Sequence, residues 1–146
     1  MKDAGQQIRI SASLWREITR TADRLCPSAL PWPPLVFALY GSEDDHFEII
    51  EYRRIETVKS RGQDDYYYPG IKKLGFYPPK GTGKWFSGTL VVGDGLELDA
   101  DDSHWMIRDQ MDFRIKMHRG LADEPWQHRV YILEVREASL DVPPEW

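Results

Sequence analysis

A chain of 146 residues has the length of one domain, enough to bury roughly two thirds of its unfolded surface around a single core. Its 24 acidic against 19 basic residues give a net charge of −5, which argues against a general nucleic-acid binder, because phosphate neutralisation needs a basic excess. The single cysteine, Cys26, rules out an internal disulfide; Met1 to Ile10 lacks the apolar core of a signal peptide and no later apolar run is long enough to cross a bilayer, so a soluble, cytoplasmic protein is expected.

In chain order, Leu14, Ile18, Ala22 and Leu25 recur at helical spacing with Trp15 widening their stripe, and predict an amphipathic helix over Ser13 to Cys26. Ser11 or Ser13 caps its start, and Pro27 stops it. After a Pro31-Trp32-Pro33-Pro34 turn, Leu35 to Tyr40 is an apolar run whose length favours a buried strand. Gly41 to Asp45 reads as a polar turn into a second strand, His46 to Ile55, which places Phe47, Ile49 and Glu51 on one face and Glu48, Ile50 and Tyr52 on the other. The economical connection between the two is a hairpin.

Ser60 to Lys84, rich in Gly, Pro, Asp, Lys and Tyr, reads as a long connection with at most a short strand or turn around Tyr66 to Tyr68. Trp85 to Val92 is a strand that ends at a Gly93-Asp94-Gly95 turn. A helix through Met111 is expected to start from a cap at Asp101, Asp102 or Ser103. Phe113, Ile115 and Met117 alternate with Arg114, Lys116 and His118, and Val130 and Ile132 alternate with Tyr131 and Leu133, so two closing strands follow. The expected fold class is α/β: one globular domain over residues 1–140, a mixed β-sheet with one or two flanking helices, and a proline-stiffened tail over 141–146.

The order of a strand around Ile8 to Ile10, a helix, a proline-rich break, Leu35-Val36-Phe37-Ala38-Leu39-Tyr40-Gly41 and Phe47-Glu48-Ile49-Ile50-Glu51-Tyr52 resembles the opening of the JAB/MPN (JAMM) domain family. That resemblance implies an architecture like that of cytidine deaminases. It also implies, for active members, hydrolysis of isopeptide or peptide bonds by zinc held on a His-x-His-Pro turn and a downstream Asp, with a Glu activating the bound water. The sequence departs from that pattern. His46, His104, His118 and His128 are isolated, prolines stand before Leu35 where the Glu belongs, and the Asp94-Gly95-Leu96-Glu97-Leu98-Asp99 stretch after Gly93 offers no imidazole. The resemblance therefore implies a catalytically silent relative that serves as a scaffold or binding partner, with no metal and no cofactor.

Other motifs have ordinary readings. Gly81-Thr82-Gly83-Lys84 suggests a phosphate loop, but Pro78 takes the place of its first glycine and Trp85 that of its Ser or Thr, leaving a surface loop. Ser87 lacks the nucleophile-elbow pattern, and Cys26 sits near a helix C-terminus that disfavours a thiolate. His118 and His128, near facing ends of the closing hairpin, lack a third ligand and read as surface residues. Asp99, Asp101, Asp102 and His104 are the residues on which an alternative, a metal-dependent hydrolase with an unconventional acidic site, would rest; a solvated loop and helix cap is the plainer reading. The leading candidate is a recognition surface made of Tyr66, Tyr68, Lys72, Phe76, Tyr77, Lys80, Lys84, Trp85 and Phe86, because aromatic rings with nearby cations offer large contact area at small entropic cost. A protein partner is expected rather than nucleic acid or membrane; self-association into a homo-oligomer is a further reading.

Overall fold

The computed structural model describes residues 7–25, 35–55, 58–59, 66–67, 75, 77–79, 81–93, 95–120, 123–132 and 136–142. In chain order they form β1 (Gln7–Ile10), α1 (Ala12–Leu25), β2 (Leu35–Ser42), β3 (Glu48–Ile55), β4 (Val58–Lys59), β5 (Tyr66–Tyr67), β6 (Lys84–Val92), α2 (Ala100–Arg108), β7 (Phe113–His118), β8 (Gln127–Ile132) and β9 (Arg136–Asp141).

The apolar run of β2 is unbroken because both faces of the strand are covered. Leu35, Phe37 and Leu39 enter one core with Ile18 and Ala22 of α1, while Val36, Ala38 and Tyr40 enter a second with Met106 and Met111, from α2 and the residues after it. Next to it, β3 forms the expected antiparallel hairpin. β3 is half covered: Ile49 is buried, Ile50 is 47% exposed, and Tyr52 stands edge-on to Phe37 with centroids 5.7 Å apart. The short β4–β5 ladder is antiparallel and includes the strand expected near Tyr66.

The mixed sheet was expected, but its closure was not. Seven strands run in the order β1-β3-β2-β6-β7-β8-β9, and β9 pairs in parallel with β1 to complete a barrel, Ile8 opposite Leu140. α2 crosses between the parallel strands β6 and β7, the kind of connection that parallel neighbours require. The first core, lined by all the barrel strands except β9 and backed by α1, gathers Ile8, Leu90, Phe113, Ile115 and Val130; Leu140 of β9 packs against it.

Four sequence expectations need correcting. Leu25 is 37% exposed, so it drops off the stripe that Ile18 and Ala22 bury, and α1 itself starts at Ala12 behind a Ser11 cap whose hydroxyl accepts from the Leu14 amide at 3.3 Å. α2 is capped by Asp99 and stops at Arg108; Gln110 lies at φ 54°, a left-handed conformation that ends the helix and sends Met111 into the second core. Arg114, expected on the polar side of β7, is only 3% exposed, because α2 supplies it with a buried carboxylate. The tail, expected from Asp141, follows a ninth strand that reaches Asp141. Cys26 and the Pro31–Pro34 turn lie outside the described residues.

Candidate binding groove

Tyr40 and Gly41 sit at register shifts in the pairings of β2 with both its neighbours, which bends the strand into the turn toward β3. Gly41 is required by close approach: a Cβ there would lie 2.3 Å from the His46 carbonyl oxygen and 2.7 Å from Ser87 Oγ. The buried Ser87 hydroxyl fills that corner, accepting from the Gly41 amide at 3.1 Å and donating to the His46 carbonyl at 2.5 Å. It fastens β6 to the turn. The turn is closed by Asp45, whose amide donates to Ser42 Oγ at 2.9 Å and whose carboxylate accepts from the Phe47 amide at 3.0 Å and pairs with Arg9. The hydrogen bond from Arg9, then the one from the Phe47 amide, holds the Asp45 carboxyl below its ordinary pKa.

Trp85 leaves β6 beside this turn and is fixed on two sides. Its Nε1 donates to Asp112 Oδ2 at 3.1 Å, and the His46 ring stacks on it at 4.2 Å with planes 6° apart. His46 Nδ1 lies 3.4 Å from the same Asp112 oxygen. The indole is nonetheless 43% exposed, so a large ring is offered to solvent with much of its freedom already removed. Tyr77 stands edge-on to buried Phe86 at 5.6 Å, and its hydroxyl donates to the Asp109 carbonyl at 2.7 Å. Burial, with the Asp109 charge second, raises the Tyr77 phenol above its ordinary pKa. Its ring is 39% exposed.

These rings, with Glu43, Pro78, Pro79, Lys84 and Gln110, line a groove of about 470 Å³, within the size range of ligand sites. Of the nine residues expected to form a recognition surface, Tyr77, Lys84, Trp85 and Phe86 meet here. Phe86 is the floor rather than a contact, and Lys84 Nζ donates to Glu51 at 2.7 Å. Tyr68, Lys72, Phe76 and Lys80 lie outside the described residues, as does the side chain of Tyr66. Sequence reasoning missed Glu43 and Gln110 on the walls and His46 and Asp112 behind Trp85. No spacing signal links them, because only the bend in β2 and the exit from α2 bring them to one end of the barrel. The Gly81-Thr82-Gly83 segment is a turn entering β6: both glycines have positive φ, and Thr82 Oγ1 donates to the Pro79 carbonyl at 2.8 Å.

The acidic segment is organised around α2. Asp99 and Asp102 form a capping box, with the Asp102 amide donating to Asp99 Oδ1 at 2.8 Å and the Asp99 amide to Asp102 Oδ2 at 3.1 Å. The buried Asp102 carboxylate also takes Arg114 Nη1 and Lys116 Nζ, each at 2.6 Å, while Arg114 Nε donates to Thr89 Oγ1 at 3.0 Å. Burial pushes the Asp102 carboxyl up; the Lys116 hydrogen bond and the Arg114 charge outweigh it and bring the net pKa below the ordinary value. His104 is exposed and edge-on to Trp105 at 5.9 Å, and the Asp101 side chain lies outside the described residues. His118 and His128 do not meet: His118 Nδ1 lies 3.1 Å from the Gly93 carbonyl, and His128 stands edge-on to Trp15 at 5.8 Å.

Comparison with solved structures finds a JAB1/MPN domain protein from Archaeoglobus fulgidus, with a TM-score of 0.58 and 17% sequence identity over 92% of this chain and 97% of that one. No family model matches the sequence, and no curated protein matches it either. The chain thus has an MPN-like fold over nearly its whole length. The zinc centre implied by the resemblance does not fit the donors present. Among the described residues, no three His, Cys, Asp or Glu side chains gather where they could hold a metal ion, and the buried carboxylate of Asp102 is already neutralised by two of the protein's own cations. No described helix is long and apolar enough to cross a membrane.

Proposed function

We propose that this MPN-like domain is a catalytically silent interaction module of the cytoplasm that holds a protein partner in the groove between Tyr77 and Trp85. The observation carrying the reading is the state of Trp85: a 43% exposed indole braced by His46 and Asp112 beside a buried aromatic floor. Pre-positioned aromatic rings of this kind anchor interfaces because their contact area is gained with little further loss of motion. The engagement of Asp102 by Arg114 and Lys116 supports the silent half of the reading, since a carboxylate tied to two cations is poorly placed to bind a divalent ion.

The test is partner capture by the full chain carrying Tyr77→Ala, Lys84→Ala or Trp85→Ala. Trp85→Ala and Tyr77→Ala are expected to abolish capture while circular dichroism and the unfolding midpoint stay close to the parent. Undiminished capture by both variants would remove this face from consideration. Stoichiometric zinc or manganese in the purified protein, lost on His104→Ala, would instead favour the hydrolase reading.

A further inference from the structure

We infer that the groove takes an extended, basic, proline-containing peptide segment; this rests on the binding reading above and names the ligand. Three features of the lining converge on that chemistry. The first is shape and apolar surface: Trp85 and Tyr77 present flat rings, and Pro78 and Pro79 continue the apolar wall. Aromatic-lined grooves of this sort take polyproline II segments, whose pyrrolidine rings pack on the aromatic faces and whose stiffness lowers the entropy lost on binding.

The second feature is charge. Among the described residues the groove lining holds one cation, Lys84, and its ammonium is occupied by Glu51 at 2.7 Å. Glu43 on the rim is exposed, and among the described residues its carboxylate has no ion partner. Among the described lining residues the charge left to meet a ligand is therefore negative, as is that of the whole chain at −5. A basic side chain beside the proline rings satisfies Glu43 and can lie over the exposed indole.

The third feature is Gln110. A polyproline II backbone makes no internal hydrogen bonds, so its carbonyls need outside donors. Gln110 lines the groove at φ 54°, a conformation for which glycine is the favoured residue, and among the described residues its side-chain amide has no hydrogen-bond partner. A long amide side chain kept at such a position supplies donors to a peptide carbonyl.

The experiment is calorimetric titration of the full chain with three synthetic peptides: a Pro-Pro-Arg repeat, the same repeat with Glu for Arg, and the same with Ala for Pro. The Pro-Pro-Arg peptide is expected to bind with Kd of about 10–100 µM. The Glu and Ala versions are expected to bind about tenfold more weakly, the effect of roughly one lost charge pair or stacking contact. Glu43→Lys, an exposed substitution that leaves the fold alone, should reverse the charge preference. Equal binding of the acidic peptide, no binding of any peptide, or an unchanged preference in Glu43→Lys would overturn the inference. So would a concentration-dependent dimer mass accompanied by preference for the chain's own acidic Val142-Pro143-Pro144-Glu145-Trp146 segment, which would make a second copy the occupant. Failure here is separable from failure of the binding reading: if Trp85→Ala still destroys partner capture while no peptide of the series binds, the ligand class is wrong and the groove stands.

Discussion

A Cβ added at Gly88 would lie 2.1 Å from the Phe113 carbonyl oxygen, whereas one added at Gly93 would meet nothing within 4 Å. The contrast isolates close approach from glycine's general flexibility. Gly88→Ala must push the backbones of β6 and β7 apart and is expected to cost about 2–4 kcal/mol, while Gly93→Ala should fall within about 0.5 kcal/mol of the parent. Urea unfolding of the two variants checks this, and equal midpoints would sink it. Tyr40, buried at the bend of β2, makes a second prediction at this scale. Burial raises its phenol pKa to about 12, with the Arg53 charge acting in the opposite direction. Because the folded value lies above the ordinary one of about 10, the stability linked to this group is complete below pH 10 and is lost as the pH rises from there through 12. The loss amounts to about 2–3 kcal/mol, and Tyr40→Phe should flatten it; an identical alkaline limb in the variant, measured by denaturant midpoints from pH 8 to 12, would refute the assignment.

For the element α2, one residue serves two purposes. Asp102 completes the capping box with Asp99 and neutralises Arg114 and Lys116 from β7, so it ties the helix start to the sheet beneath it. Asp102→Asn leaves the buried Arg114 short of a counter-charge and is expected to destabilise by about 3 kcal/mol, more than a cap alone is worth. Its pH signature has the opposite sense to that of Tyr40. The folded carboxyl pKa lies below the ordinary value of about 3.9, so the contribution is present above pH 4 and is lost as the pH falls through the folded value. Unfolding midpoints measured from pH 7 down to pH 3 should therefore fall more steeply in the parent than in Asp102→Asn. The same element marks the limit of what the chain discloses about its parts. A run of carboxylates before an apolar stretch announces a helix start, and it anticipated α2, though its cap came two to four residues early, at Asp99, and its end three residues early, at Arg108. That Arg114 would be drawn inside was not legible, because its alternation with Phe113 and Ile115 is that of an ordinary solvent-facing residue and its partner lies on another element. The same is true of the groove: exposed rings at Tyr77 and Trp85 were readable from their aromatic neighbourhood, but the Glu43 and Gln110 walls depend on how β2 bends and α2 ends.

At the scale of the whole molecule, the order of helix, strand, turn and strand in the opening was enough to suggest the MPN-like architecture by resemblance, while the unbroken apolar run of β2 announced a strand covered on both faces. Closure was hidden. β9 reads Arg-Glu-Ala-Ser-Leu-Asp, with little of the alternation that marks a half-buried strand, and among its described side chains Leu140 packs against the core. Its role is carried by the backbone, which pairs with β8 on one side and with β1, at the far end of the sequence, on the other. Such long-range parallel pairing leaves no local trace. It does make a prediction about assembly: a chain ended at Val135 exposes unpaired edges on both β1 and β8, which are open to pairing with other chains. The lost ladders should cost several kcal/mol, a large part of the roughly 5–15 kcal/mol that holds a domain of this kind together. The shortened chain is therefore expected to lose its cooperative thermal transition and to form higher-mass species in light scattering at concentrations where the parent keeps a single mass. A truncated protein with the parent's melting midpoint and mass would mean that β9 is an ornament on an open sheet, and that the core around Ile8 is stable without it.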